Sequence, residues 1–116
     1  MLLRDKILAK KGTAHRDVFI PEWDATVRVK GMTAGGRAQF MNLYSDNNGV
    51  VNWSEVQHVL VLECLYDPEI DEPVFHKGDE SSIDELDGKS VETITKTAME
   101  LSGLTEEASN DIAKNS

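Results

Sequence analysis

Between Val56 and Leu65, apolar side chains fill seven of ten positions: Val56, Val59, Leu60, Val61, Leu62, Cys64 and Leu65. A run of that length exceeds an ordinary strand. With Ser54 and Glu55 as start signals just ahead of it, the pattern predicts a helix that is apolar over most of its circumference. Such a helix belongs in the middle of a domain, covered on several sides. Crossing a bilayer takes about 20 apolar residues and Glu63 interrupts this run, so a transmembrane reading fails. The stretch from Trp53 to Tyr66 is therefore the element around which the rest of the chain is arranged.

Upstream, Leu3, Ile7 and Leu8 are set among charges, which predicts a short amphipathic helix over Leu2 to Lys10, closed by Lys10, Lys11 and Gly12. The period then changes. Val18 and Ile20 flank Phe19, and Thr26-Val27-Arg28-Val29-Lys30 alternates strictly, with Pro21-Glu22-Trp23-Asp24 between the two runs. That is the signature of a β-hairpin, with Val27 and Val29 on one face and Arg28 and Lys30 on the other. Thr33 is placed to cap a helix running to Tyr44, weakened by Gly35 and Gly36 in its first turn. After the central helix, Asp67-Pro68 breaks the chain, and Pro73-Val74-Phe75 reads as a brief extended piece with Phe75 pinned to the core. Ser81 or Ser82 can cap a single helical turn carrying Ile83 and Leu86. A second long helix is expected over Lys89 to Ser102, on the stripe Val91, Ile94, Ala98 and Leu101. Gly103 follows as a left-handed C-cap with Leu104 as its apolar follower. Thr105 then caps a short last helix with Glu106 and Glu107 in its first turn.

These elements predict an α+β fold, mainly helical: a small N-terminal β-hairpin packed on a bundle of about four to five helices. With 116 residues the chain has room for one domain, spanning 1–116, that buries roughly two thirds of its unfolded surface. A hydrophobic content of 40% argues against wholesale disorder. The only cysteine, Cys64, excludes an internal disulfide and any multi-cysteine zinc site, and its place in the apolar run makes it a packing residue. The amino terminus lacks a secretion-signal pattern, which points to the cytoplasm.

The charge of −9 is unevenly spread. Asp67 to Asp87 holds nine acidic residues against Lys77, a local net of −8. Residues 1–30 run the other way, with seven Lys or Arg against four Asp or Glu. No basic face fit for nucleic acid emerges. The acidic block reads either as a solvated loop or as a surface for a basic partner.

Candidate chemistry is sparse. Aligned on Gly49, the stretch Tyr44 to Glu55 resembles a calcium-binding EF-hand loop, with Asp46, Asn48, Gly49, Val51, Asn52 and Glu55 at its positions three, five, six, eight, nine and twelve. Its first position needs an aspartate and holds Tyr44, whose phenol cannot replace a carboxylate. A turn between two helices is the better reading. Gly35-Gly36 lacks the remaining residues of a phosphate loop. His58 and Cys64 fall on different helix faces, and His15, His58 and His76 lie in separate elements without metal-ligand spacing. The expectation is a non-enzymatic protein with no catalytic, cofactor-binding or metal site.

Several short patterns together resemble the tail assembly chaperones of long, non-contractile-tailed phages. They are the start Met1-Leu2-Leu3-Arg4-Asp5-Lys6-Ile7-Leu8, the hairpin Val18-Phe19-Ile20-Pro21-Glu22-Trp23 with Val27-Arg28-Val29-Lys30-Gly31-Met32-Thr33, and Trp53 leading an apolar helix to Cys64. Tyr66-Asp67-Pro68, Pro73-Val74-Phe75 and Glu100-Leu101-Ser102-Gly103-Leu104-Thr105-Glu106-Glu107 complete the set. The resemblance spans nearly the whole chain. It implies a small acidic protein, made in the host bacterial cytoplasm and absent from the mature virion. Such a protein binds the tape-measure protein and keeps it soluble until tube subunits polymerise around it. The major tail (tube) protein and a second copy of the chain are further candidate partners; nucleic acid and membrane are not. The resemblance also implies a longer product made by ribosomal slippage, for which Ala113-Lys114-Asn115 supplies a suitable place. Two other readings stay open: another phage tail structural or adaptor protein, and a calcium-responsive helical module.

Overall fold

The computed structural model describes residues 2–46 and 52–104. The expected short last helix capped by Thr105 and the slippage site at Ala113-Lys114-Asn115 lie outside them.

Helix α1 (Leu3–Ala9) comes first and buries none of its residues. Strands β1 (His15–Ile20) and β2 (Ala25–Lys30) form the expected hairpin, joined by a 3₁₀ turn over Pro21–Trp23 and a left-handed Asp24. Its register pairs Val18 with Val27 and Asp17 with Arg28, which puts apolar pairs on one face and charged pairs on the other. Helix α2 (Ala34–Asp46) starts where expected: the Gly36 amide donates to Thr33 Oγ1 at 3.1 Å.

Helix α3 (Trp53–Cys64) is the central element, with Val56, Leu60, Val61 and Cys64 fully buried. It packs against α2, α5 (Gly88–Leu101), α4 (Glu80–Asp84) and β2. Burying each large apolar side chain of this kind contributes about 1.5–3 kcal/mol, so α3 holds much of the core together. Its N-cap is Asn52, whose Oδ1 accepts from the Glu55 amide, rather than Ser54.

Two features differ from the sequence expectation. Leu65 leaves the helix and opens β3 (Leu65–Asp67), which pairs antiparallel with β2 and with β4 (Glu72–Pro73). The hairpin is thus half of a four-stranded sheet in the order β1-β2-β3-β4. The cause is local: Leu65 faces Val29 on the buried side of the sheet, and its burial is kept by changing element rather than by adding a helical turn. The second difference is that the N-cap residue of α4 is Asp79 rather than Ser81 or Ser82, and its carboxylate accepts from the His76 amide and closes the preceding turn. Ile83 lies within α4 and is buried, whereas Leu86 lies beyond its end.

The long helix α5 is capped at both ends. Asp87 accepts from the Ser90 amide at its start. At its end, Gly103 adopts φ 76° while Gly103 N–H donates to Glu100 O and Leu104 N–H to Met99 O. Those two bonds make a complete Schellman motif, and Leu104 is buried as its apolar follower. Val91, Ile94 and Ala98 of the expected stripe are buried, whereas Leu101 is half-buried. Gly31 lets β2 pass against this helix end. A Cβ there would stand 2.8 Å from Leu101 O.

Candidate interaction surfaces

The one cysteine is chemically quiet. Cys64 is buried, and loss of hydration, helped by nearby Glu63, pushes its thiol up to about 12. His58 turns away from it and meets Asp84 of α4, Nε2 to Oδ1 at 2.7 Å. That contact ties α4 to α3. Among the described residues, no group of three or more His, Cys, Asp or Glu is placed to hold a metal ion. Residues 47–51 of the EF-hand-like stretch lie outside the described residues; within them, Asn52 Oδ1 is already engaged as the α3 cap.

Among the described residues, the larger apolar surfaces are three. The first is α1, where Leu2, Leu3, Ile7 and Leu8 are 46–74% exposed, so the whole apolar stripe faces outward. The second is an open groove of about 540 Å³ between the start of α2 and the end of α5. Met32, Ala34, Ala38, Met41 and Leu101 line it, with Arg37 at the same wall. Its floor is fixed by Ser102, whose Oγ accepts from the Met32 amide at 2.8 Å and donates to Ala98 O at 2.6 Å. Unbranched methionines adapt to irregular apolar partners, which suits such a groove to a side-chain row on a helix.

The third is a smaller cleft of about 230 Å³ lined by Trp23, Val27, Leu65, Val74, Phe75 and Leu86. Phe75 thus does anchor the acidic segment to the core. Ile70 and Val74 stand exposed in the same segment.

The outer face of the sheet is charged and internally paired. Arg28 binds Asp17 through two contacts, Nε to Oδ1 at 2.8 Å and Nη2 to Oδ2 at 3.2 Å. Asp71 reaches Lys30 Nζ at 3.0 Å and Arg28 Nη1 at 3.5 Å, while Lys30 Nζ lies 4.1 Å from the Tyr66 ring centre. These partners hold both carboxyls below the usual range: Arg28 does so at Asp17, and chiefly Lys30 at Asp71. Asp71 sits at φ 52°, a left-handed turn tied down by its cations. Part of the acidic segment is therefore structural, although charge counting alone makes it look like a solvated loop.

Sequence reasoning found the residues of the apolar helices but not the clefts between them, because a groove is a property of how elements meet. The Asp87 cap was legible in principle, since Asp87-Gly88-Lys89-Ser90 carries a capping residue ahead of an apolar stripe.

No protein-family model matches this sequence, and no curated protein matches it significantly. The fold is known, however. It is similar to the solved structure of the bacteriophage HK97 tail assembly chaperone, with a TM-score of 0.60 and 24% sequence identity over 87% of this chain and 95% of that chain. The likeness runs almost the full length of both molecules, and it establishes a shared α+β architecture. Among the described residues no helix is long and apolar enough to cross a membrane.

Proposed function

We propose that this chain is a phage tail assembly chaperone that binds the tape-measure protein and holds it soluble while the tail tube forms. The observation that carries the reading is the fold shared with the HK97 tail assembly chaperone over 87% of this chain. Two of the sequence patterns that resemble the family fall at joints of that fold. Pro21-Glu22-Trp23 forms the turn that meets α5, and Leu101-Ser102-Gly103-Leu104 forms the α5 terminator beside the groove.

Physically, the task requires apolar surface that can cover an aggregation-prone helix and enough charge to keep the complex dispersed. The groove walled by Met32, Ala38, Met41 and Leu101 offers the first. A helical segment of the tape-measure protein would lay an apolar row there, at the i, i+3, i+4, i+7 spacing that helix-in-groove recognition uses. The net charge of −9 offers the second. The work is done in the host cytoplasm by binding alone, and the protein leaves before the virion is complete.

Co-expression tests this. The soluble yield of the tape-measure protein should rise when this chain is present and fall back when the chain carries Ala38→Glu, which puts a carboxylate into the groove. An unchanged yield with the wild-type chain would overturn the reading, and proteomic detection of the chain in purified virions would favour a structural tail role instead.

A further inference from the structure

We infer that the groove between α2 and α5 selects apolar helices that carry a carboxylate beside their apolar row, and that Arg37 reads that carboxylate. This rests on the groove's taking a tape-measure helix, and it adds what such a helix must carry. Ala34, Arg37, Ala38 and Met41 are spaced i, i+3, i+4 and i+7, so they share one face of α2 and wall the groove. Both alanines are exposed. Small side chains at a contact shorten the distance between packed helices. A helix lying against this wall therefore brings its flanking positions, as well as its apolar row, within reach of Arg37.

Arg37 is the only charged residue lining the groove among the described residues. It is exposed and makes no ion pair there, whereas Arg16, Arg28 and Lys30 are each held by a carboxylate of their own chain. The hydroxyls beside it are already engaged. Ser102 Oγ donates to Ala98 O and accepts from the Met32 amide, and Thr33 Oγ1 accepts from the Gly36 amide. A guanidinium offers five N–H donors and no acceptor, in a fork that matches a carboxylate. The group in the groove left to recognise a polar side chain thus recognises an anion.

Stability does not account for a cation at this position. Arg37 lies close to the start of α2, where the helix dipole is positive and acids are favoured, and no acidic residue stands in that first turn. The charge of −9 sharpens the choice. The chain as a whole repels an acidic segment at long range, but that field fades beyond about 8 Å at physiological salt. Contact with Arg37 acts inside that distance. An acidic segment gains only by placing its carboxylate at this wall, so charge fixes register as well as affinity.

Three synthetic helical peptides test this by titration calorimetry. They share one apolar row at i, i+3, i+4 and i+7 and differ only at the two positions flanking its centre, which are both Glu, both Gln or both Lys. The Glu peptide should bind the wild-type chain about fivefold more tightly than the Gln peptide, with the Lys peptide weakest. Arg37→Gln should remove the preference for Glu over Gln, and Arg37→Glu should put the Lys peptide first. Arg37 is exposed, and unchanged circular dichroism and melting confirm that each variant is folded. The Gln peptide reports the groove itself, and Ala38→Glu should weaken it. If the wild type does not favour Glu, or the Arg37 variants keep the wild-type order, the carboxylate inference is overturned while the groove keeps its role. If the wild type binds no peptide, or Ala38→Glu holds the Gln peptide as well as the wild type does, the groove loses its role and this inference falls with it.

Discussion

Trp23 and Asp87, 64 residues apart in sequence, are joined by a 2.8 Å hydrogen bond from the indole Nε1 to Oδ1. The other carboxylate oxygen accepts from the Ser90 hydroxyl at 2.6 Å and the Ser90 amide at 3.0 Å. One side chain therefore starts α5 and fastens it to the hairpin turn. The Ser90 hydroxyl foremost, then its amide and the indole, hold the Asp87 carboxyl below its usual value of 3.8, against the opposing effect of burial.

The consequence for pH follows from the sign of that shift. A carboxyl whose folded pKa is depressed contributes stability above its unfolded value and loses it as the pH falls through the folded one. Asp87→Asn should lower the melting temperature at neutral pH, and the gap to wild type should narrow on acidification below 3.8. A gap that stays constant down to strong acid would mean that the charged form is not what the three donors hold. Trp23→Phe, which keeps the cap and loses only the indole bond, should cost less at neutral pH.

Two glycines ahead of and within α2 should respond with opposite signs. At Gly31 an added methyl meets the Leu101 carbonyl at 2.8 Å, a backbone atom that cannot swing aside. Gly31→Ala should destabilise by about 1–3 kcal/mol, as overpacking does. Gly35, in the first turn of α2, has only Thr33 Oγ1 near, at 4.0 Å. Gly35→Ala should therefore stabilise by about 0.5–1 kcal/mol through the lower backbone entropy of the unfolded chain. Urea unfolding of both variants measures the pair, and equal effects at the two positions would contradict the packing described for Gly31.

The central helix makes the same point along its length. Leu60 is fully buried, so Leu60→Ala should cost about 2–5 kcal/mol. Trp53 at its start is 59% exposed despite its size, and Trp53→Ala should change stability by no more than about 0.5 kcal/mol. A large loss at Trp53 would show that the start of α3 is covered in solution.

These contrasts mark what the sequence can and cannot disclose. The alternation at Val27 and Val29, the dense run ending at Cys64 and the terminator at Gly103 are local signals, and the fold uses each of them as read. Strand β3 is a three-residue element that continues an apolar run without a glycine or proline between, so no period marks the change at Leu65. The cover of α1 was not legible either: a stripe at Leu3 and Ile7 says that a face seeks burial, not that the chain itself leaves it bare. The acidic segment shows the same gap. Charge counting cannot separate Asp71, held by Lys30 and Arg28, from exposed Glu69 and Glu72, which are the better positions for neutralising charge without loosening the fold.

Under the proposed function, the groove between α2 and α5 receives an apolar helix of the tape-measure protein. Isothermal titration of the purified chain with helical tape-measure segments measures this directly. A segment with an apolar row should bind saturably, and Ala38→Glu should weaken it at least tenfold, about 1.4 kcal/mol, while Ile7→Asp leaves it unchanged. No saturable binding by the wild-type chain to any segment, or equal binding by the Ala38→Glu chain, would contradict the account.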